Sequence, residues 1–131
     1  MKSVRFFSVV LLIAAGLCCT KPSAAETTEE MLSKCRPFTQ ANITDGKVQV
    51  DSDYSTGVCW GAFSMVQALL SARNVETKKP MLWACAPATS TRTQLISVFV
   101  RYAESHPEKY SEDFLWSATT AMQQAFPCRA K

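Results

Sequence analysis

Histidine occurs once in the 131 residues, and glycine only four times. The single imidazole, His106, stands directly before Pro107. That is the setting of a solvated helix end, whereas nucleophilic catalysis needs a base held against a serine, cysteine or threonine. The acidic residues are few and scattered, mostly where first helical turns are expected, so no glycosidase-like carboxylate pair emerges. No C-x-x-C occurs, which removes thioredoxin-like exchange and the usual structural zinc site. No run of five like charges is left to form a nucleic-acid or anionic-membrane surface. The sequence therefore predicts no catalytic residue, no cofactor and no metal ligand set.

What is present begins with targeting. A basic "MKSVR" precedes the apolar "FFSVVLLIAAGL", and Ser23-Ala24-Ala25 supplies small residues ahead of Glu26. That order predicts a secretory signal peptide over residues 1–25, leaving a periplasmic domain over 26–131. The apolar run is shorter than the roughly 20 residues of a membrane span, so none is expected after cleavage. Cys18 and Cys19 follow Leu17 and each other, without the small residue that lipid attachment requires. Lys2, Arg5 and Lys21 leave with the leader, and residues 26–131 then carry eleven basic and eleven acidic side chains.

The remaining residues make one domain with a modest core. Scarce glycine and proline, and almost no alternation of period two, predict an all-α fold. A short first helix, "TTEEMLSKC", is capped by Thr27 or Thr28, with Glu29 and Glu30 near its positive end. Residues 36–55 read as irregular, with strand character only in "KVQV". The second helix, "TGVCWGAFSMVQALLSARN", presents Cys59, Phe63, Val66 and Leu70 in line, widened by Ala62, Met65 and Leu69. Gly61 is expected to admit a neighbouring helix at close range. Pro80 and Pro87 interrupt the connector that follows, from which Leu82 and Trp83 should fold back onto the core. Thr91 and Gln94 form a capping box opening a third helix with Leu95, Val98, Phe99 and Tyr102 on its face, flanked by Ile96 and Ala103. Pro107 stops it. Ser111 is expected to cap a fourth helix with Glu112 and Asp113 in its first turn. Its inner face would carry Phe114 or Leu115, Ala118, Met122, Ala125 and Phe126, and Pro127 would end it.

Four cysteines in an exported domain, Cys35, Cys59, Cys85 and Cys128, predict a disulfide framework with three possible connectivities. The third and fourth helices should run antiparallel as a hairpin, which carries Cys128 toward Cys85. Cys35 ends the first helix and Cys59 lies early in the second. This favours Cys35–Cys59 and Cys85–Cys128, while the connector could also return Cys85 to Cys59.

From Tyr54 to Cys128 the chain resembles the Rap/Tai family, immunity proteins of type VI secretion systems. The matching features are Cys59 and Gly61 in "VCWGAF", Cys85-Ala86-Pro87, and the pair Gln94-Leu95. They continue with Val100, Arg101 and Tyr102, then His106-Pro107-Glu108, and a closing Phe126-Pro127-Cys128. The "MLSKC" segment looks like the family's leading cysteine stretch. Met65 departs from the small residue often found four positions after the helix glycine. The resemblance implies a small all-α periplasmic protein, often dimeric, whose partner is a cell-wall amidase toxin that it binds and blocks. Residues 36–55 and 72–88 are the candidate inhibitory surfaces. The other reading is a stand-alone periplasmic binding, stress or chaperone-like protein using Trp60, Trp83 and Trp116.

Overall fold

The computed structural model describes residues 25–41, 43–44 and 47–128. The expected leader, with Cys18 and Cys19, falls outside this description apart from Ala25. The fold is all-α. Helices α1 (Thr28–Cys35), α2 (Pro37–Gln40), α3 (Tyr54–Ser71), α4 (Arg92–Ser105) and α5 (Phe114–Ala125) follow in order, with a 3-10 turn at Pro107–Lys109. Two-residue strands β1 (Ile43–Thr44) and β2 (Lys47–Val48) pair antiparallel, Ile43 opposite Val48. Residues 36–55 are thus less irregular than expected. Arg36 caps a single turn opened by Pro37, and "KV" finds its partner four residues upstream.

α4 lies at the centre, with α5, α3, α1 and α2 packed around it. Phe63 of α3, Phe99 of α4 and Phe114 of α5 meet with ring centroids 5.3–5.7 Å apart, two of the three pairs edge-on. Such tilted contacts set a ring's electropositive edge against a neighbour's face. Leu95, Ile96, Phe99, Val100 and Ala103 are the buried residues of α4, while Val98 and Tyr102 are half-buried. The inner face is therefore rotated toward Ile96 and Val100 relative to expectation, because helices pack on more than one side of α4.

The start of α1 shows how backbone groups at a helix end are satisfied. The first four N–H groups of a helix have no intrahelical acceptor. Here Thr28 N donates to the Glu112 carbonyl at 2.8 Å and Glu29 N to the Tyr110 carbonyl at 3.1 Å. Glu30 N donates to Thr27 Oγ1, and Met31 N to the Thr27 carbonyl. Glu30 returns a carboxylate to Thr27 N at 2.9 Å, completing a capping box. Below them the buried Thr28 and Ser117 hydroxyls lie 2.7 Å apart.

This docking overrides the expected cap of the last helix. Carbonyls at 110 and 112 turn toward α1, so Ser111 and Glu112 stay outside, and Asp113 caps α5 by accepting from Leu115 N at 2.8 Å. Phe114 N reaches back to the Glu26 carbonyl at 3.0 Å. The buried face of α5 is Ser117, Ala118, Ala121 and Met122, with Phe114 and Phe126 packed at its margins; Leu115 and Ala125 are exposed.

Two expectations for α3 fail together. Cys59, Phe63 and Val66 are buried and Leu70 half-buried, but Met65 is 61% exposed. Among the described residues nothing lies within 4 Å of where a Cβ on Gly61 would sit, so no described helix explains that glycine. Met65 and Gly61 share the outward side, and α3 ends at Ser71, short of Asn74.

Candidate protein interface

The structure brings Cys35 to Cys59 and Cys85 to Cys128, each pair bonded, with Cα atoms 5.3 and 4.9 Å apart. Cys35 and Cys59 are fully buried and tie the end of α1 to α3. Cys85 and Cys128 lie at the surface and tie the connector to the residues beyond α5.

That connector, residues 72–91, is a braced projection. Asn74 Oδ1 accepts from the backbone N–H of Glu76 and Thr77, while Asn74 N donates to the Lys79 carbonyl and Met81 N to the Ala72 carbonyl. Leu82 turns inward, and its carbonyl accepts from Gln123 Nε2 at 2.9 Å. Ala84 is wholly buried, and Cys85 N donates to the Phe126 carbonyl at 2.8 Å. Between these inward anchors Trp83 points out, 63% exposed, with the Lys79 ammonium 5.3 Å from its ring centre.

Trp83 also has a φ of 54°, the left-handed region that bulky residues rarely occupy. Such a conformation costs about 1–3 kcal/mol and persists only where the surroundings impose it. The inward anchoring of Leu82 and Ala84 on either side does so, and the result is an indole turned out to solvent. The expectation that Trp83 folds onto the core is thus overturned, whereas Leu82 does pack there.

A second exposed surface runs along α3, whose 18 residues include no charged side chain. Its outward arc carries Trp60 on one edge and Tyr54 and Met65 on the other, with Gly57, Gly61, Ser64 and Ala68 between them. Trp60 stacks on Phe38 at 5.6 Å, and the Arg92 guanidinium lies 4.3 Å over its ring. Tryptophan, tyrosine and arginine are the residues enriched where protein interfaces concentrate their energy. The absence of charge through "YSTGVCWGAFSMVQALLS" was the available sequence signal; a helix apolar on every side normally has every side covered. The third tryptophan, Trp116, is 67% exposed on α5.

Between α4, the end of α5 and the connector runs a shallow groove of about 520 Å³ with a mixed lining that includes Pro87, Gln94, Ser97, Arg101 and Phe126. A neighbouring hollow shares Val98, Arg101 and Ala125 with it and continues to His106. His106 stacks on Tyr102, with ring centroids 4.2 Å apart. Its Nδ1 lies 2.8 Å from the Tyr102 carbonyl oxygen and 3.0 Å from the Ser105 hydroxyl. The histidine closes the end of α4.

Hydrogen bonds, not burial, shape the titration of the caps. The Thr27 backbone N–H holds the Glu30 carboxyl below its ordinary range, and the Thr56 backbone N–H does the same for Asp53, the cap of α3. The Glu112 carboxylate raises the Lys109 ammonium. Among the described residues no cluster of three or more histidine, cysteine, aspartate or glutamate side chains could hold a metal, and no helix is long and apolar enough to cross a membrane.

No curated protein and no solved structure matches the chain. The family model of the Rap1a immunity proteins matches residues 20–128. That span takes in every helix described above, both surfaces and all four bonded cysteines, and the chain belongs to the Rap1a immunity protein family.

Proposed function

We propose that the protein is a periplasmic immunity protein that binds a peptidoglycan amidase delivered by type VI secretion and occludes its active site. The observation that carries this reading is the family match over residues 20–128. Two disulfides in a small domain and the leader-like first 25 residues support an oxidising, extracytoplasmic setting.

Met81 and Trp83, the exposed apolar residues that follow the connector's turn, are the toxin-contacting residues in this proposal. The backbone beneath Trp83 is already set by its inward-anchored neighbours, and such preorganisation favours affinity. The charge-free arc of α3, centred on Gly61 and edged by Met65, is the surface offered to a second copy of the chain, giving a homodimer. The roles separate experimentally. Trp83→Ala should abolish inhibition of a cell-wall amidase encoded beside the gene while leaving the sedimentation behaviour unchanged. Met65→Glu should yield monomers. A domain over residues 26–131 that neither binds nor inhibits any such amidase would overturn the reading.

A further inference from the structure

The two disulfides differ in what surrounds them. Cys35 and Cys59 sit in the core beside Met31, Leu32 and Phe63, out of reach of any thiol unless the domain opens. Cys85 and Cys128 are both exposed. Phe126 packs on the core margin and Pro127 bridges to Ala84, whereas the described hydrogen bonds of residues 85–90 are these. Cys85 N donates to the Phe126 carbonyl, Ser90 N to the Pro87 carbonyl, and Gln67 Nε2 reaches the Ser90 carbonyl at 3.1 Å. Exposed disulfides are the labile ones, because exchange requires in-line access of a thiolate to sulfur.

We propose that Cys85–Cys128 is a reducible clasp on the connector that presents Trp83, opened by an external dithiol while the core stays folded. A thiolate of the dithiol attacks one of the two sulfurs, and the other cysteine leaves as a thiolate that takes up a proton. The dithiol's second thiolate then resolves the mixed disulfide, releasing the remaining cysteine and ending as a disulfide itself. Two electrons pass from the dithiol to the Cys85–Cys128 pair. With the clasp open, residues 85–90 and the chain beyond α5 lose their covalent tie, and the connector loses the brace on its C-terminal side. This rests on the proposed role of Trp83, but its test involves no toxin.

The experiment is limited reduction of the oxidised domain (residues 26–131) with dithiothreitol, alkylation at timed intervals, and peptide mapping by mass spectrometry. Cys85 and Cys128 should become labelled at least tenfold faster than Cys35 and Cys59. In the same half-reduced protein, amide exchange over residues 81–88 should rise at least fivefold while the amides of α4 remain protected. Loss of both bonds together, or of Cys35–Cys59 first, overturns the proposal. So does half-reduced protein whose connector exchanges no faster than before. A Cys85→Ser, Cys128→Ser variant provides the same exchange measurement without reductant. If that variant does not fold, the assumption of an independently folded core fails, and the proposal with it.

Discussion

One disulfide of this domain is sealed in its core and the other is bound to its surface, and the two stabilise in different ways. By chain entropy alone the bond that closes more chain should matter more. Cys85–Cys128 spans 43 positions and Cys35–Cys59 spans 24, worth about 4 and 3.5 kcal/mol respectively. Burial reverses that order. The sulfurs of Cys35 and Cys59 fill space that nothing else would fill, so their removal leaves a cavity as well as a longer loop. The surface bond constrains the connector and the chain end without packing against much. A covalent tie is thus an element of the core in one region and a brace for an exposed connector in the other.

The sharpest way to break that contrast is to delete each bond in turn. Cys35→Ala with Cys59→Ala should lose about 5 kcal/mol in urea denaturation of residues 26–131, and Cys85→Ala with Cys128→Ala about 4. A larger loss from the surface pair would show that loop length alone governs. Next in size is Ser117→Ala, which removes the hydroxyl beside Thr28 near the core end of the molecule. It should cost about 1–2 kcal/mol by the same measurement, since the buried Thr28 hydroxyl keeps only the Glu112 carbonyl at 3.1 Å.

On the connector, Trp83→Ala should change stability by less than about 0.5 kcal/mol, because the side chain is mostly in solvent. Gly61→Ala on the open arc of α3 should stabilise the isolated chain by about 0.5–1 kcal/mol, since the added methyl meets nothing. A destabilised Gly61→Ala monomer would mean that the arc is covered after all.

The smallest effect concerns the caps. Because hydrogen bonds hold Glu30 and Asp53 below their ordinary values, their contribution is present above the usual carboxylate range. It fades as the pH falls through their lowered folded values. Asp53→Asn keeps a capping side chain but does not titrate. Denaturation midpoints measured from neutral to acid pH should therefore decline less for it than for the native chain.

What was legible in the chain was what neighbours in sequence decide. Thr91 and Gln94 form their capping box with each other, and Pro107 stops α4 without help from elsewhere. What stayed hidden depended on distant partners. Ser111 looks like a good cap until the start of α1, more than 80 residues away, claims the carbonyls around it. Trp83 has the composition of a core residue, and only the inward pull of its two neighbours drives it out. Met65 and Gly61 read as parts of an inner face because helical periodicity locates a stripe more surely than it locates the edge of that stripe. Residues 72–88 could be marked as a candidate surface from their irregularity, but which of their apolar residues face outward could not, since an outward aromatic and an inward one are the same letter.

The hydrogen bonds between the start of α1 and residues 110–113 have a further consequence for the order of events during synthesis. A ribosome makes α1 first and the Tyr110 and Glu112 carbonyls nearly last, so the Thr28 and Glu29 N–H groups lack their native acceptors until the chain is almost complete. Cys35 and Cys59 can meet well before then, whereas Cys128 cannot find Cys85 until the final turns of α5 exist. A nascent chain truncated anywhere before Glu112 should therefore be recognisable to proteases as unfinished, however much helix it already contains.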